Sequence, residues 1–119
     1  MVEARAEARY IRTSAQKAKL VMDLIRGKHV SEALSILHFT KKTVAREIEK
    51  ALRSAIANAN VIAERNQKRQ IDVDDLFVSA CYANQGPSQK RVRPAPMGRA
   101  YRVIKRTAHL TVRVAEREK

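Results

Sequence analysis

Two stretches of alternating apolar and polar residues lie on either side of a long segment that cannot fold by itself. Their apolar faces are formed by Leu76, Val78, Ala80 and Tyr82 in the first stretch and by Ala108, Leu110, Val112 and Val114 in the second. A period of two residues is typical of a strand with one buried face. The 22 residues 86–107 separate the two stretches. Because structureless loops longer than ~12–15 residues are uncommon in compact domains, we predict that the strands continue outward as a hairpin turning at residues 94–98.

The charge of the chain is concentrated in this same region. Residues 76–115 contain eight basic side chains and no acidic one, and the net charge of the 119 residues is +13. Seven of the basic side chains lie in the predicted hairpin: Lys90, Arg91, Arg93, Arg99, Arg102, Lys105 and Arg106. Guanidinium groups bind phosphates in bidentate fashion and stack on bases. Blocks of one sign are usually interaction elements, so we expect a polyanionic partner, nucleic acid above all, and regard a merely solvated loop as the weaker interpretation.

The rest of the chain predicts a helical layer. Helical periodicity is clearest at residues 41–64, where Val44, Ile48 and Leu52 begin a continuous apolar stripe. Two further helices are predicted at residues 14–26 and 31–38, and a first strand at residues 4–10. The expected fold is therefore α+β, with three helices packed on a three-stranded antiparallel sheet. We expect one domain, 1–119, with a globular part formed by residues 1–85 and 107–119 and a projecting basic β-hairpin at residues 86–106.

Short-range signals predict where these helices begin and end. Thr13 and Gln16 have the spacing of a capping box, in which each side chain binds the other residue's backbone N–H. Ser31 is the predicted cap of the second helix, and Gly27 has the position typical of a residue that ends a helix. On the predicted apolar face of its strand, Tyr82 is expected to pack in the core. Tyr101 has no such neighbours and is the better candidate for base stacking.

Several function classes find no support in the sequence. Cys81 is the single cysteine and His29, His38 and His109 are scattered, so the ligand spacings of a zinc site are missing. Asp72, Asp74 and Asp75 are interpreted as a solvated strand entrance. No phosphate loop or nucleophile motif occurs. We expect no enzyme, no cofactor and no metal, and the lack of an apolar run of ~18 residues argues against a membrane protein.

The sequence resembles a known family in three ordered blocks. Two of them are residues 12–17 with 23–28, and residues 54–59. The most specific block contains Gly86-Pro87, Lys90-Arg91, Pro94, Gly98-Arg99-Ala100, Lys105-Arg106-Thr107 and His109-Leu110-Thr111-Val112. In these blocks the chain resembles the bacterial large-subunit ribosomal protein L twenty-two family over nearly its whole length.

The resemblance implies a function in the cytoplasmic ribosome. It implies a structural protein that binds large-subunit rRNA as a monomer within the ribosome, beside neighbouring ribosomal proteins, and supports subunit assembly. The rRNA contacts would be made by Arg12, Lys17, Lys90, Arg91, Arg93, Arg99, Arg102, Lys105, Arg106 and His109. The tip would lie at the wall of the nascent-peptide exit tunnel and consist of Pro94, Ala95, Pro96, Met97 and Gly98. The family usually has Arg-Ala after the tip proline, where this chain has Ala95 and Pro96.

Two other binding functions remain as alternatives. A basic β-arm also occurs in architectural proteins that bind the minor groove of DNA, although such proteins are usually dimers. A membrane-surface protein would have the positive charge but needs an amphipathic helix, which the basic segment lacks.

Overall fold

The computed structural model describes residues 3–67, 75–94, 96–98 and 100–116. The strands are β1 (Glu3–Ile11), β2 (Leu76–Gln85), β3 (Gln89–Pro94), β4 (Ala100–Lys105) and β5 (Ala108–Glu116). The α-helices are α1 (Ala15–Ile25), α2 (Val30–Phe39) and α3 (Val44–Ile62), and one π-helical turn, Ala63–Gln67, follows α3. Within the described residues, no helix is long and apolar enough to span a membrane.

The last strand, β5, lies in the middle of the main sheet. The order is β1–β5–β2, and both pairs are antiparallel. Val112 pairs with Ala6 on one side and with Cys81 on the other. The alternating apolar residues of β5 are all buried, as the sequence predicts, and so is Thr111. A central strand has neighbours on both edges, so its backbone groups are paired and little of it meets solvent. The central position therefore suits the most apolar strand.

Three helices cover one face of this sheet, and the predicted α+β fold is confirmed. Helix α3 packs on β1 and β5, α1 packs on β2, and α2 contacts both other helices. The α3 stripe from Val44 through Ile48 and Leu52 to Ala59 is buried. Its polar face carries Arg53, whose guanidinium binds the Glu49 carboxylate at 2.9 Å. The apolar periodicity of one long helix therefore fixes which side faces the core.

The starts of two helices differ from the prediction. The N-cap of α1 is Ser14, whose hydroxyl accepts the Lys17 N–H at 3.3 Å, so the predicted capping box beginning at Thr13 is wrong. Helix α2 begins at Val30 after His29, and no side chain caps it, so the prediction of Ser31 as cap is also wrong. Burial of Val30 and the bridge between His29 and Phe77 of β2 explain the earlier start of α2, because tertiary contacts hold this turn.

A β-bulge in β2 overturns the predicted facing of Tyr82. Val78 pairs with Val114, but Ala80 pairs with the next residue along β5, Arg113, so the strand contains one extra residue. Such a bulge reverses the faces of all residues that follow it. Cys81 is consequently buried and Tyr82 is 38% exposed. The prediction that Tyr82 packs in the core is wrong.

The hairpin is a separate two-stranded sheet formed by β3 and β4. Its register pairs Gln89 with Lys105 at one end and Pro94 with Ala100 at the other. The strands continue outward as a hairpin, as predicted, but residues 86–88 and 106–107 separate its ladder from that of the main sheet. Proline at residue 87 cannot donate a ladder hydrogen bond, which is consistent with this interruption. The molecule measures 67 × 27 × 16 Å.

A short 3₁₀ turn, Pro96–Gly98, lies at the tip of the hairpin. Met97 and Gly98 have φ values of 63° and 72°, which lie in the left-handed region. Glycine adopts this region without steric cost, whereas methionine rarely does. The predicted turn at residues 94–98 is thus present around Pro96–Gly98, although Pro94 still belongs to β3 and Ala95 lies outside the described residues.

Candidate nucleic-acid interface

The hairpin presents its described cations to solvent. The side chains of Lys90, Lys105 and Arg106 are exposed. Arg91, Arg93 and Arg102 belong to β3 or β4 by their backbones, and Arg99 lies outside the described residues. Met97 is 96% exposed. A ribbon only two strands wide has no interior, which is consistent with the exposure of Lys90 and Lys105.

A second group of predicted contacts lies where β1 meets α1. Arg12 and Lys17 are both exposed and line a groove of about 630 Å³ that extends to Lys42 at the start of α3. Lys42 is not among the contacts predicted from the sequence. The only local signal is its place in the pair Lys41-Lys42, and it joins Arg12 through the tertiary fold.

Lys17 connects this groove to the base of the hairpin. A neighbouring groove of about 570 Å³ is lined by Lys17 and Leu20 of α1 and by Ile104 and Arg106 from the hairpin side. The structure therefore brings Arg106 close to Lys17 and its neighbour Arg12, both of which are far from it in sequence. We call Arg12, Lys17, Lys42, Lys90, Lys105 and Arg106 the basic surface.

The cations of the basic surface are not held in ion pairs within the described part of the chain, although Glu47 lines the same groove as Arg12, Lys17 and Lys42. Elsewhere basic side chains have acidic neighbours, as in Lys28–Glu32 at 3.8 Å, Lys50–Glu47 at 3.9 Å and Arg53–Glu49 at 2.9 Å. No ion pair among the described residues involves a member of the basic surface. Its positive potential is therefore available to external phosphates.

His109 is engaged inside the protein. Its Nδ1 accepts the backbone N–H of Tyr10 at 3.2 Å, and the two rings meet edge to face with centroids 4.9 Å apart. His109 is half-buried. The family resemblance implies a contact between His109 and rRNA, and in the structure Tyr10 already occupies its Nδ1.

Other candidate residues are not gathered into a chemical centre. In the described ranges no group of three or more histidine, cysteine or acidic side chains could hold a metal ion. Asp72 and Asp74 lie outside the described residues, as does the side chain of Tyr101. Burial raises the pKa of the Cys81 thiol, and the nearby Arg26 guanidinium opposes this shift only in part. A protonated, buried thiol is a poor nucleophile.

The chain is similar to known proteins over nearly its whole length. Residues 6–115 match the family model described as ribosomal protein L22p/L17e. A protein of Solibacter usitatus (strain Ellin6076) named large ribosomal subunit protein uL22 is 54% identical over 117 residues, which cover 98% of this chain and 99% of the relative. A protein of the same name from Clostridium novyi (strain NT) is 49% identical over 116 residues, covering 98% and 99%. By the extent of the family match and the level of identity, this chain belongs to the ribosomal protein L22p/L17e family.

Proposed function

We propose that this protein is a structural component of the large ribosomal subunit in the cytoplasm, that it binds large-subunit rRNA and that it supports subunit assembly. It would act as a monomer beside other ribosomal proteins and carry out no catalysis. The observation that carries the proposal is the acid-free hairpin, whose described cations are exposed and lack acidic partners. Membership of the family and the relatives' names support the ribosomal setting.

The basic surface, together with the other basic residues of the hairpin, suggests how rRNA is bound. Phosphate contacts would come from Arg12 and Lys17 on the globular part and from Lys90, Arg91, Arg93, Arg99, Arg102, Lys105 and Arg106 on the hairpin. In this mode the protein recognises the shape of the RNA and the charge of its phosphates, with little readout of the bases. The molecule is 67 Å long and no more than 27 Å across in its other directions, a shape that suits a crevice between RNA helices.

The tip is proposed to lie at the wall of the nascent-peptide exit tunnel. Pro94, Ala95, Pro96, Met97 and Gly98 form the predicted contact, and the exposed Met97 gives it an apolar, adaptable side chain. Ala95 and Pro96 leave this segment without the arginine that is usual in the family, so we expect tip contacts without a charge.

The salt dependence of rRNA-fragment binding tests the electrostatic part of the proposal. The hairpin variant Lys90→Gln/Arg93→Gln/Arg102→Gln removes three predicted contacts. Each phosphate contact contributes ~0.7–0.9 to the slope of log affinity against log salt, so the magnitude of the slope should fall by ~2–3. The matched control Lys28→Gln/Lys50→Gln/Arg53→Gln removes the same net charge from cations that have acidic neighbours. We expect little change in its slope.

Several outcomes would contradict the proposal. Equal loss of slope in both triple variants would mean that only net charge matters. Duplex DNA binding as strong as rRNA binding would favour the architectural alternative, and sedimentation with anionic vesicles would favour the membrane-surface alternative. For the tunnel assignment, a photocrosslinker at residue 97 should react with the nascent chain in stalled ribosomes that carry one. Crosslinks confined to surface proteins would refute that assignment.

A further inference from the structure

The hairpin is joined to the main sheet through a compact set of contacts. The Gly86 N–H donates to the Thr107 carbonyl at 2.9 Å, and the Thr107 hydroxyl donates to the Pro87 carbonyl at 2.6 Å. These bonds close the two ends of the hairpin against each other. Both bonds join the two chain segments that leave the main sheet to each other. They do not by themselves set the direction of the ribbon relative to the sheet. We call Tyr10, Gly86, Pro87, Thr107 and His109 the junction.

The neighbouring strand β1 is distorted at the junction. Ala8 pairs with Leu110 and Ile11 with Ala108, so β1 has one more residue than β5 between these pairs. Tyr10 has φ 58°, a left-handed conformation that costs a non-glycine residue free energy and persists only where surrounding contacts hold it. The Tyr10 N–H donates to Nδ1 of His109. The irregularity therefore directs a backbone donor onto the imidazole.

Gly86 lies against the other part of the same ring. A Cβ atom at Gly86 would lie 3.2 Å from Nε2 and 3.3 Å from Cε1 of His109, and 2.6 Å from the Thr107 hydroxyl oxygen. The His109 ring thus lies between Tyr10 of β1 and the first residue of the hairpin connection. It contacts the sheet edge at Tyr10 and lies close to the point at which the ribbon leaves, and glycine permits this close approach.

From this geometry we propose that His109 is a positioning residue, which sets the direction of the hairpin and acts on rRNA binding through the hairpin instead of by contact. The inference rests on the proposed rRNA binding for its functional part. A ribbon held in its bound direction loses less conformational freedom on binding than one that pivots. His109 would therefore strengthen binding by organising the distant cations beforehand. This assigns to His109 a different role from the direct contact expected from sequence.

The structural part is tested without RNA. Nitroxide labels at Met97→Cys on the tip and Lys19→Cys on α1 report the spread of tip-to-body distances by pulsed electron paramagnetic resonance. Cys81 is 2% exposed and stays in place, and the chain without added cysteines controls for its labelling. His109→Ala and Gly86→Ala should both broaden the distance distribution. His109→Asn, which keeps an acceptor near the position of Nδ1, should restore part of its sharpness.

The matched control is Asn84→Ala. Asn84 pairs with His109 across β2 and β5 and is exposed, but it makes none of the junction contacts. Its distance distribution should equal that of the starting protein. A thermal melt of each variant shows whether the main sheet is intact. An unchanged distribution in a folded His109→Ala protein would overturn the inference, whatever its effect on RNA binding.

The functional part is tested by combining His109→Ala with the hairpin triple variant. In the otherwise unchanged protein, His109→Ala should weaken rRNA-fragment binding ~3–10-fold, the range expected from ordering a few flexible groups. In the triple variant the same change should cost much less, because the hairpin contributes less binding. Equal losses in both backgrounds would assign His109 to direct contact and refute the positioning role. If the starting protein binds no rRNA, the proposed function and the functional half of this inference both fail, while the label distances still decide the structural half.

Discussion

At the scale of single residues, the extra residue in β2 decides the surroundings of Cys81. Because the bulge reverses the faces after Val78, the thiol enters the core and donates to the Met22 carbonyl at 3.3 Å. The Arg26 guanidinium donates to the Cys81 carbonyl at 2.8 Å and to Asp23 at 2.6 Å. The bond to Asp23 raises the pKa of Arg26, whose guanidinium is charged beside the thiol in any case.

Burial of Cys81 predicts a stability that falls at alkaline pH. Its pKa is raised in the folded chain, so above the ordinary thiol pKa of ~8.5 the unfolded chain ionises first and is favoured. We expect the free energy of unfolding in urea to fall between pH 7.5 and 9.5 more steeply for the starting protein than for Cys81→Ala. Lysine and tyrosine ionisation affects both proteins, and the difference isolates the thiol. Parallel pH profiles would contradict this prediction.

At the scale of elements, the helices show which signals are local and which are not. The apolar stripe of α3 predicts its burial because a period of 3.6 residues allows only one face to meet a sheet. The starts of α1 and α2 are less predictable, because Thr13 and Ser14 are both good capping residues and only the chain's exit from β1 selects between them. Neither Val30 nor His29 carries a capping signal, and tertiary contacts decide that start.

The N-cap of α1 can be tested by a pair of substitutions. Ser14→Ala removes the acceptor of the Lys17 N–H and should lower the free energy of unfolding by about 1 kcal/mol. Thr13→Ala should cost less, because the Thr13 hydroxyl donates to the Ser14 carbonyl at 3.4 Å and binds no orphan N–H of the helix. Urea unfolding with unchanged m-values measures both. A larger loss for Thr13→Ala than for Ser14→Ala would restore the capping box predicted from sequence.

At the scale of the whole molecule, the core and the charged ribbon are built from different parts of the chain. The buried hydrophobic residues described in the structure fall within residues 4–81 and 108–114. Val92, in β3, is 72% exposed. We therefore propose that the globular part, residues 1–85 and 107–119, holds its fold without the contribution of residues 86–106.

A shortened hairpin tests this division. Arg91 and Val103 face each other in the register, and an Asn-Gly turn can join them in place of residues 92–102. The variant should melt cooperatively, with its Tm within a few degrees of the starting protein, because no described core residue is removed. Circular dichroism during heating measures this. Loss of the cooperative transition would show that the ribbon stabilises the body.

The sequence alone determined the class of the fold and the place of the charge. Helical and strand periodicity can be recognised from consecutive residues, and the run without acidic residues is seen in the sequence directly. Three helices, the main strands and a basic hairpin could therefore be predicted. Only the tertiary structure decided three other features. They are the bulge that buries Cys81, the approach of Lys42 to Arg12, and the position of His109, which binds the Tyr10 N–H and lies close to Gly86. Each of these depends on register or on contacts between residues far apart in the chain. A shift of one residue in strand pairing changes which side chains face the core, or where a backbone N–H points, and the local sequence pattern does not show such a shift.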